Sequence, residues 1–341
     1  MSGTSLDGLD LCLVHFYFEN KQWRYKIVDA NCLEYAQEWK EKLLLANQLK
    51  AIELIELDRA YGQFLGKCCY RFLGKQKVDF IASHGHTVFH QPHKGLTLQI
   101  GHGGEIASHS KRVVVCDFRS QDISLGGQGA PLVPFGDQEL FKQYDACINI
   151  GGISNISFDQ EGKRIAFDVA PSNMIINELC QKHFNLDFDK NGEIAKKGKI
   201  DQCLYEQLEN IGYYQKEPPK SLGKEDIDRD FMPLFEATNI TVEDQLFTFY
   251  QHWANQITKT LSENQLYENI LISGGGAKNT FLIKGLLEKF NISVPDEMVL
   301  EYKEALIFAF LGLYRLEGKN NVLSTVTGAS RSHSAGAVFL P

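Results

Sequence analysis

Three short turns in this chain of 341 residues are built to face a polyanion. Residues 2–8 read SGTSLDG, residues 149–155 read NIGGISN and residues 273–276 read SGGG. Binding a phosphate takes several backbone N–H groups aimed at one place. Glycine-rich turns and helix N-termini supply them without steric conflict. One such turn ordinarily does no more than reverse the chain, but three together are more than chain reversal requires. None is a Walker A loop, because the nearest stretch, residues 192–200, has the wrong spacing and lacks the closing Ser or Thr. No GxGxxG opens a strand–helix unit either. A second concentration of chemistry is the run His84, His86, His90, His93 and His102, five imidazoles within nineteen residues. A zinc site would need ligand spacing such as HExxH or a partnering cysteine, and neither is present, so polar lining of a cleft is the favoured reading.

The elements that must carry these turns alternate in type. Residues 10–18 (DLCLVHFYF) read as a strand leaving the first glycine stretch. Residues 146–158 (ACINIGGISNISF) read as strand, glycine turn, strand. The third turn differs, since it follows the apolar run 269–272 and opens a helical pattern over 278–290. Amphipathic helices are predicted over 51–75 and 242–261, a largely buried helix over 302–316, and short strands over 78–82, 96–100 and 113–116. Hairpins first and crossover helices after, twice over, predict two related α/β halves with a cleft between them.

Composition narrows the function. A net charge of −8 argues against a nucleic-acid binder, which needs a basic surface to displace counterions. A small anionic substrate stays possible, because a few local donors outweigh a distant net charge. No apolar run reaches bilayer length and the first residues carry no signal-peptide pattern, so no membrane association is expected. The eight cysteines form no CxxC and read as reduced thiols of a cytoplasmic protein.

The motifs become specific when taken in order. They are MSGTSLDGLD at 1–10, SHGHTVFHQP at 83–92, DFRSQDISLGGQGAPLVP at 117–134 and NIGGISN at 149–155. There follow FDVAPSN at 167–173, FDKNGEIAKKG at 188–198, KSLGKE at 220–225, SGGGAKN at 273–279, EALIFA at 304–309 and TGA at 327–329. Spread over nearly the whole chain, this series resembles the anhydro-N-acetylmuramic acid kinase family. The resemblance implies an α/β fold of two related ribonuclease-H-like domains, the actin-like ATPase fold, with a nucleotide cleft between them. Domain I would comprise residues 1–128 and about 322–341, and domain II residues 129–321.

It also implies ATP and Mg²⁺ as cofactors and a 1,6-anhydro amino sugar as substrate, in peptidoglycan recycling. Asp168 would be the general base that activates water. Read from the residues alone, Asp168 is equally a cap for a helix starting near Pro171. Ser2, Gly3, Thr4, Ser5 and Gly8 resemble the first phosphate loop, and Gly151 and Gly152 the second. Gly274, Gly275 and Gly276 resemble the turn at the nucleoside end. Asp7 or Asp10 would face Mg²⁺. Arg119 would pair with the lactyl carboxylate of the sugar, since a guanidinium matches a carboxylate fork, or it is a surface arginine at a strand end. His84, Thr87 and Glu304 would be further sugar contacts, although Glu304 equally suits a helix N-terminus. A homodimer is implied as well.

Three positions depart from the family pattern. Ala170 and Ser172 stand where glycines flank the proline, and Asn177 stands where an Asp is usual. They predict an altered or strained backbone after Asp168 and leave open a kinase acting on another amino sugar. Family members also place a short strand before the first loop. The expectation is either a start upstream of Met1 or a protein without that central strand, and the latter would suit a non-catalytic nucleotide-binding relative.

Overall fold

The computed structural model describes Met1, Ser2, Leu6 and residues 8–341; Gly3, Thr4, Ser5 and Asp7 lie outside the described residues. The chain divides into two compact units, Met1–Leu140 with Tyr302–Pro341, and Phe141–Glu301. Both mix strands and helices, which is the α/β class expected from the sequence.

The first unit opens with a long hairpin, β1 (Gly8–Glu19) and β2 (Gln22–Glu34). Asn20 and Lys21 between them both have positive φ, the backbone of a two-residue turn whose twist suits antiparallel strands. A three-stranded sheet in the order β12-β6-β3 joins β3 (Ile81–Ala82), β6 (Val114–Cys116) and β12 (Ala337–Phe339). A further hairpin pairs β4 (His86–Gln91) with β5 (Leu96–Ile100). The helix Ala51–Leu73 lies close against the helix Gly103–Ser110 because Gly62 and Gly66 carry no side chain. A Cβ on Gly66 would stand 2.7 Å from the Cβ of His109 and 2.9 Å from the Ile106 carbonyl oxygen. Leu9, Leu11, Tyr61, Leu65, Ile100, Ile106 and Val114 fill the core beneath.

At the start of β1, the Met1 amino group donates to the Asp10 carbonyl at 2.8 Å and the Asp10 N–H to the Met1 carbonyl at 2.9 Å. A cavity of about 490 Å³ follows, walled by residues 9–16 of β1 and residues 78–84 around β3. Among the described residues, β1 pairs along its length with β2 alone and β3 with β6 alone.

The second unit carries one continuous sheet, β11-β10-β7-β8-β9. Its strands are β7 (Ala146–Ile150), β8 (Ile153–Gln160), β9 (Lys163–Pro171), β10 (Ile270–Ser273) and β11 (Ile292–Ser293). β7, β8 and β9 form an antiparallel meander, and β10 runs parallel to β7 with Ser273 opposite Asn149. β7 and β10 are nearly all apolar because they lie in the middle of the sheet, buried on both faces. The helix Val242–Glu263 packs on this sheet, and its buried Trp253 donates an indole N–H to Ser154 Oγ on β8 at 2.9 Å.

Candidate active site

Parallel β7 and β10 end side by side, and each ends in glycines. Gly151 and Gly152 turn β7 into β8, and Gly274–Gly276 follow β10. The two turns are packed together. A Cβ on Gly276 would stand 2.2 Å from Ile150 Cγ2, and one on Gly274, whose φ is +86°, would stand 2.7 Å from Asn149 Oδ1. Gly275 is exposed, and a Cβ there would meet nothing within 4 Å. The third element at this end is the helix Asn173–Phe184. Its first N–H groups reach the β7–β8 turn, Asn173 to the Gly151 carbonyl at 3.2 Å and Met174 to the Gly152 carbonyl at 3.1 Å. The Ser172 hydroxyl adds a bond to the Gly151 carbonyl at 2.9 Å. Carboxyl ends of parallel strands are where open α/β sheets bind ligands, and glycine turns there leave backbone exposed to an approaching group.

Asp168 lies on β9 opposite Asn155 of β8, four residues before Ser172, and does not cap the following helix. Its backbone N–H donates to the Lys220 carbonyl at 3.1 Å, and its own carbonyl accepts the Tyr213 hydroxyl at 2.6 Å. Its carboxylate Oδ2 accepts the Leu222 N–H at 2.9 Å; Oδ1 has no hydrogen-bond partner among the described residues and is not sealed from solvent. Burial pushes the carboxyl up to about 6 and outweighs the Leu222 bond, which pulls it down. The Lys220 ammonium lies over the Tyr213 ring at 5.1 Å and is itself lowered by burial. A carboxylate of raised basicity, fixed by one oxygen and open at the other, is equipped to take a proton from water.

The departures after Asp168 cost little here. Neither Ala170 nor Ser172 has positive φ, so the strain expected of a side chain replacing glycine is absent. Ala170 is fully buried opposite Ser154 in the β8–β9 ladder. Asn177 is exposed on its helix.

The first unit carries the cation. Arg119 donates to His84 Nε2 through Nε at 3.1 Å and to the Gly129 carbonyl through Nη1 at 2.7 Å. His84 Nδ1 lies 3.0 Å from the Gly85 carbonyl. The consistent tautomer carries its proton on Nδ1 and offers the Nε2 lone pair to Arg119. Burial, then the guanidinium charge, hold the His84 pKa well below its ordinary value, and burial lowers Arg119 to about 10. Phe308 lies under both groups, its ring 4.7 Å from the imidazole and 5.9 Å from the guanidinium carbon.

The other predicted residues lie as follows. The Ser2 hydroxyl accepts from Tyr35 at 2.8 Å and lies 3.1 Å from His86 Nδ1, inside the first unit. Gly8 leaves room for Cys32 and Leu33 of β2. Thr87 on β4 accepts from Gln99 Nε2 of β5 at 3.3 Å. Glu304 is exposed on the helix Glu297–Leu316. Asp10 is half-buried on β1, and Gly3, Thr4, Ser5 and Asp7 lie outside the described residues. Among the described residues no group of three or more His, Cys, Asp and Glu side chains is placed to hold a metal ion, and no helix is long and apolar enough to cross a membrane. Tyr213 and Leu222, which hold Asp168, were not foreseen. Leu222 lies in the 220–225 motif, but its backbone contact is one no spacing rule reveals, and Tyr213 lies in no motif.

The family model for anhydro-N-acetylmuramic acid kinase matches residues 1–341. The chain belongs to that family. A relative from Hydrogenovibrio crunogenus, an anhydro-N-acetylmuramic acid kinase, is 33% identical over 365 residues, covering 100% of this chain and 97% of the relative. Another of that name, from Nitrosomonas europaea, is 34% identical over 363 residues, with 99% and 98% covered. Among solved structures, a putative N-acetylmannosamine kinase from Listeria monocytogenes matches at a TM-score of 0.32 and 11% identity, over 88% of this chain and 98% of its own. Membership makes the chain an ATP-dependent kinase, a phosphotransferase.

Proposed function

We propose that this kinase opens the 1,6-anhydro bridge of anhydro-N-acetylmuramic acid with water and phosphorylates the freed 6-hydroxyl from ATP. The observation that carries the reading is Asp168, fixed through Oδ2, open at Oδ1 and raised to about 6. In the reaction, Oδ1 takes a proton from water as the water oxygen bonds to the anomeric carbon. The bond from that carbon to the bridging oxygen breaks, its electron pair going to the oxygen. That oxygen attacks the γ-phosphorus, and the bond to the β–γ bridging oxygen breaks to release ADP. The glycine turns after β7 and β10 offer the polyphosphate a backbone surface free of side chains.

Arg119 is assigned to the lactyl carboxylate, with His84 holding the guanidinium plane and Thr87 and Glu304 as further sugar contacts. Of the two carboxylates proposed for Mg²⁺, Asp10 is described and half-buried. One carboxylate with phosphate oxygens and water makes an ordinary Mg²⁺ donor set, so Asp10 fits it, and the ion would neutralise charge on the transferring phosphoryl group. Action as a cytoplasmic homodimer belongs to the same proposal and rests on the family resemblance.

The test is incubation with ATP, Mg²⁺ and the anhydro sugar, followed by mass spectrometry. A product heavier by one water and one phosphoryl group is expected. Phosphorylation without water gain would remove Asp168 from its role, and no product would remove the substrate. The Asp168→Asn variant should lose about 10²- to 10⁴-fold in turnover, the range for a general base, while ATP binding is kept.

A further inference from the structure

The hydrogen bonds of Arg119 all go to uncharged partners, the neutral His84 ring and one backbone carbonyl, that of Gly129. What fixes the Gly129 peptide therefore fixes half of the cation's orientation. That peptide is held from its other side by Asp122, fully buried one turn further along the chain from Arg119. Asp122 Oδ2 accepts the Gly129 N–H at 2.7 Å, and Oδ1 accepts the Thr327 hydroxyl at 2.8 Å. Its backbone carbonyl accepts the Gly127 N–H at 2.9 Å. His333 Nε2 lies 3.8 Å from Oδ1. The loop is shaped for this carboxylate. A Cβ on Gly127 would stand 2.2 Å from Asp122 Oδ2, and Gly129 adopts a φ of +69° that brings its N–H inward and its carbonyl toward Arg119. The tail closes the arrangement, the Gln128 N–H donating to the Thr327 carbonyl at 2.8 Å and the Ser330 N–H to the Leu125 carbonyl at 3.0 Å.

We propose that Asp122 is a positioning residue for Arg119. It acts through the Gly129 peptide, with Thr327 bracing it from the C-terminal tail, and it sets how the guanidinium meets the anionic group of the substrate. The proposal rests on the reading of Arg119 as the contact for the substrate's carboxylate. A bidentate guanidinium contact is sensitive to small rotations of its plane, and misplacement by about 1 Å can cost as much as 10²-fold. Without Asp122 the Gly129 carbonyl is free to turn, and Arg119 keeps only His84 as a fixed hydrogen-bond partner. An asparagine at 122 can accept from Gly129 through its oxygen and donate to the Thr327 oxygen through its amide, so it preserves the clamp.

The experiment measures KM for the anhydro sugar and kcat, at saturating ATP, in Arg119→Ala, Asp122→Ala, Asp122→Asn and the double variant Arg119→Ala/Asp122→Ala. Asp122→Ala should raise the sugar KM roughly ten- to a hundredfold with a smaller change in kcat, and Asp122→Asn should restore most of it. The decisive result is non-additivity: once Arg119 is gone, removing Asp122 should raise KM no further. Additive effects in the double variant, or an unchanged KM in Asp122→Ala beside a raised one in Arg119→Ala, would overturn the proposal. An unchanged KM in Arg119→Ala would overturn the reading of Arg119 itself, and the proposal with it. Should Asp122→Ala not fold, Thr327→Val removes one of the two donors to the carboxylate; it should raise the sugar KM severalfold, and no rise would count against the proposal.

Discussion

Asp168 combines a cost to the fold with a use in the reaction. Its carboxyl is raised from 3.8 to about 6, chiefly by burial, so the native state holds its proton more tightly than the unfolded chain does. For a raised acid the stabilising contribution is complete below the unfolded value and is lost as pH rises through the native one. The charged carboxylate is thus a burden at neutral pH, and Asp168→Asn should raise the melting temperature at pH 7.5 while removing turnover. A variant that melts lower would show that the carboxylate's charge in the Leu222 bond, rather than its desolvation, dominates. The same ionisation governs the rate in the opposite sense, because only the deprotonated form accepts a proton. The profile of kcat/KM for the sugar against pH should carry an acid limb for one proton with a midpoint near 6. A profile flat down to pH 5 would exclude Asp168 as the base. Little of this was legible beforehand. The residues around Asp168 left cap and base open, and the choice depends on β9, which was not predicted, and on Leu222, 54 positions further along.

At the scale of elements, the glycine turns were legible because glycine clusters flanked by β-branched runs have few other uses. The first strand and the β7–turn–β8 unit were read from the same signal. β2 and β9 were not. β2 mixes charged with apolar residues as a strand exposed along much of its length, and β9 has no glycine or proline before its end apart from Gly162 in the preceding turn. Nor could sequence separate the roles of adjacent glycines. Gly276 is a packing glycine, and Gly276→Ala should destabilise by about 1–3 kcal/mol as its methyl forces Ile150 aside. Gly275→Ala should change stability by no more than about 0.5 kcal/mol, because nothing stands near its Cβ. If the turn meets nucleotide, the exposed position should still raise the KM for ATP. Thermal melts of the two variants separate the roles, and an equal loss of stability in both would refute the assignment.

At the scale of the whole molecule, the question is how the chain's last 40 residues, Tyr302–Pro341, join the first unit. The crossing, between Glu301 and Tyr302, falls within one uninterrupted helix, Glu297–Leu316, and the glycine of that helix, Gly312, stands well beyond it. The attachment is long-range, so local patterns do not disclose it: Phe310 packs against Phe16, Trp23 and Phe135. β12 pairs with β6, Thr327 meets Asp122, and at the root of the segment Lys303 forms a 2.7 Å ion pair with Asp137, both side chains at most 6% exposed. Two charges taken out of water recover little net stability together, but losing one leaves the other uncompensated. Lys303→Met should therefore cost roughly 3–5 kcal/mol, and adding Asp137→Leu should return most of that loss although a second native group has been removed. Denaturant unfolding of the single and double variants tests this through their coupling energy. Additive losses would mean that the pair does not act as a unit, and that the remaining contacts, β12 on β6, Thr327 with Asp122 and Phe310 with Phe16 and Phe135, hold the returning segment in place.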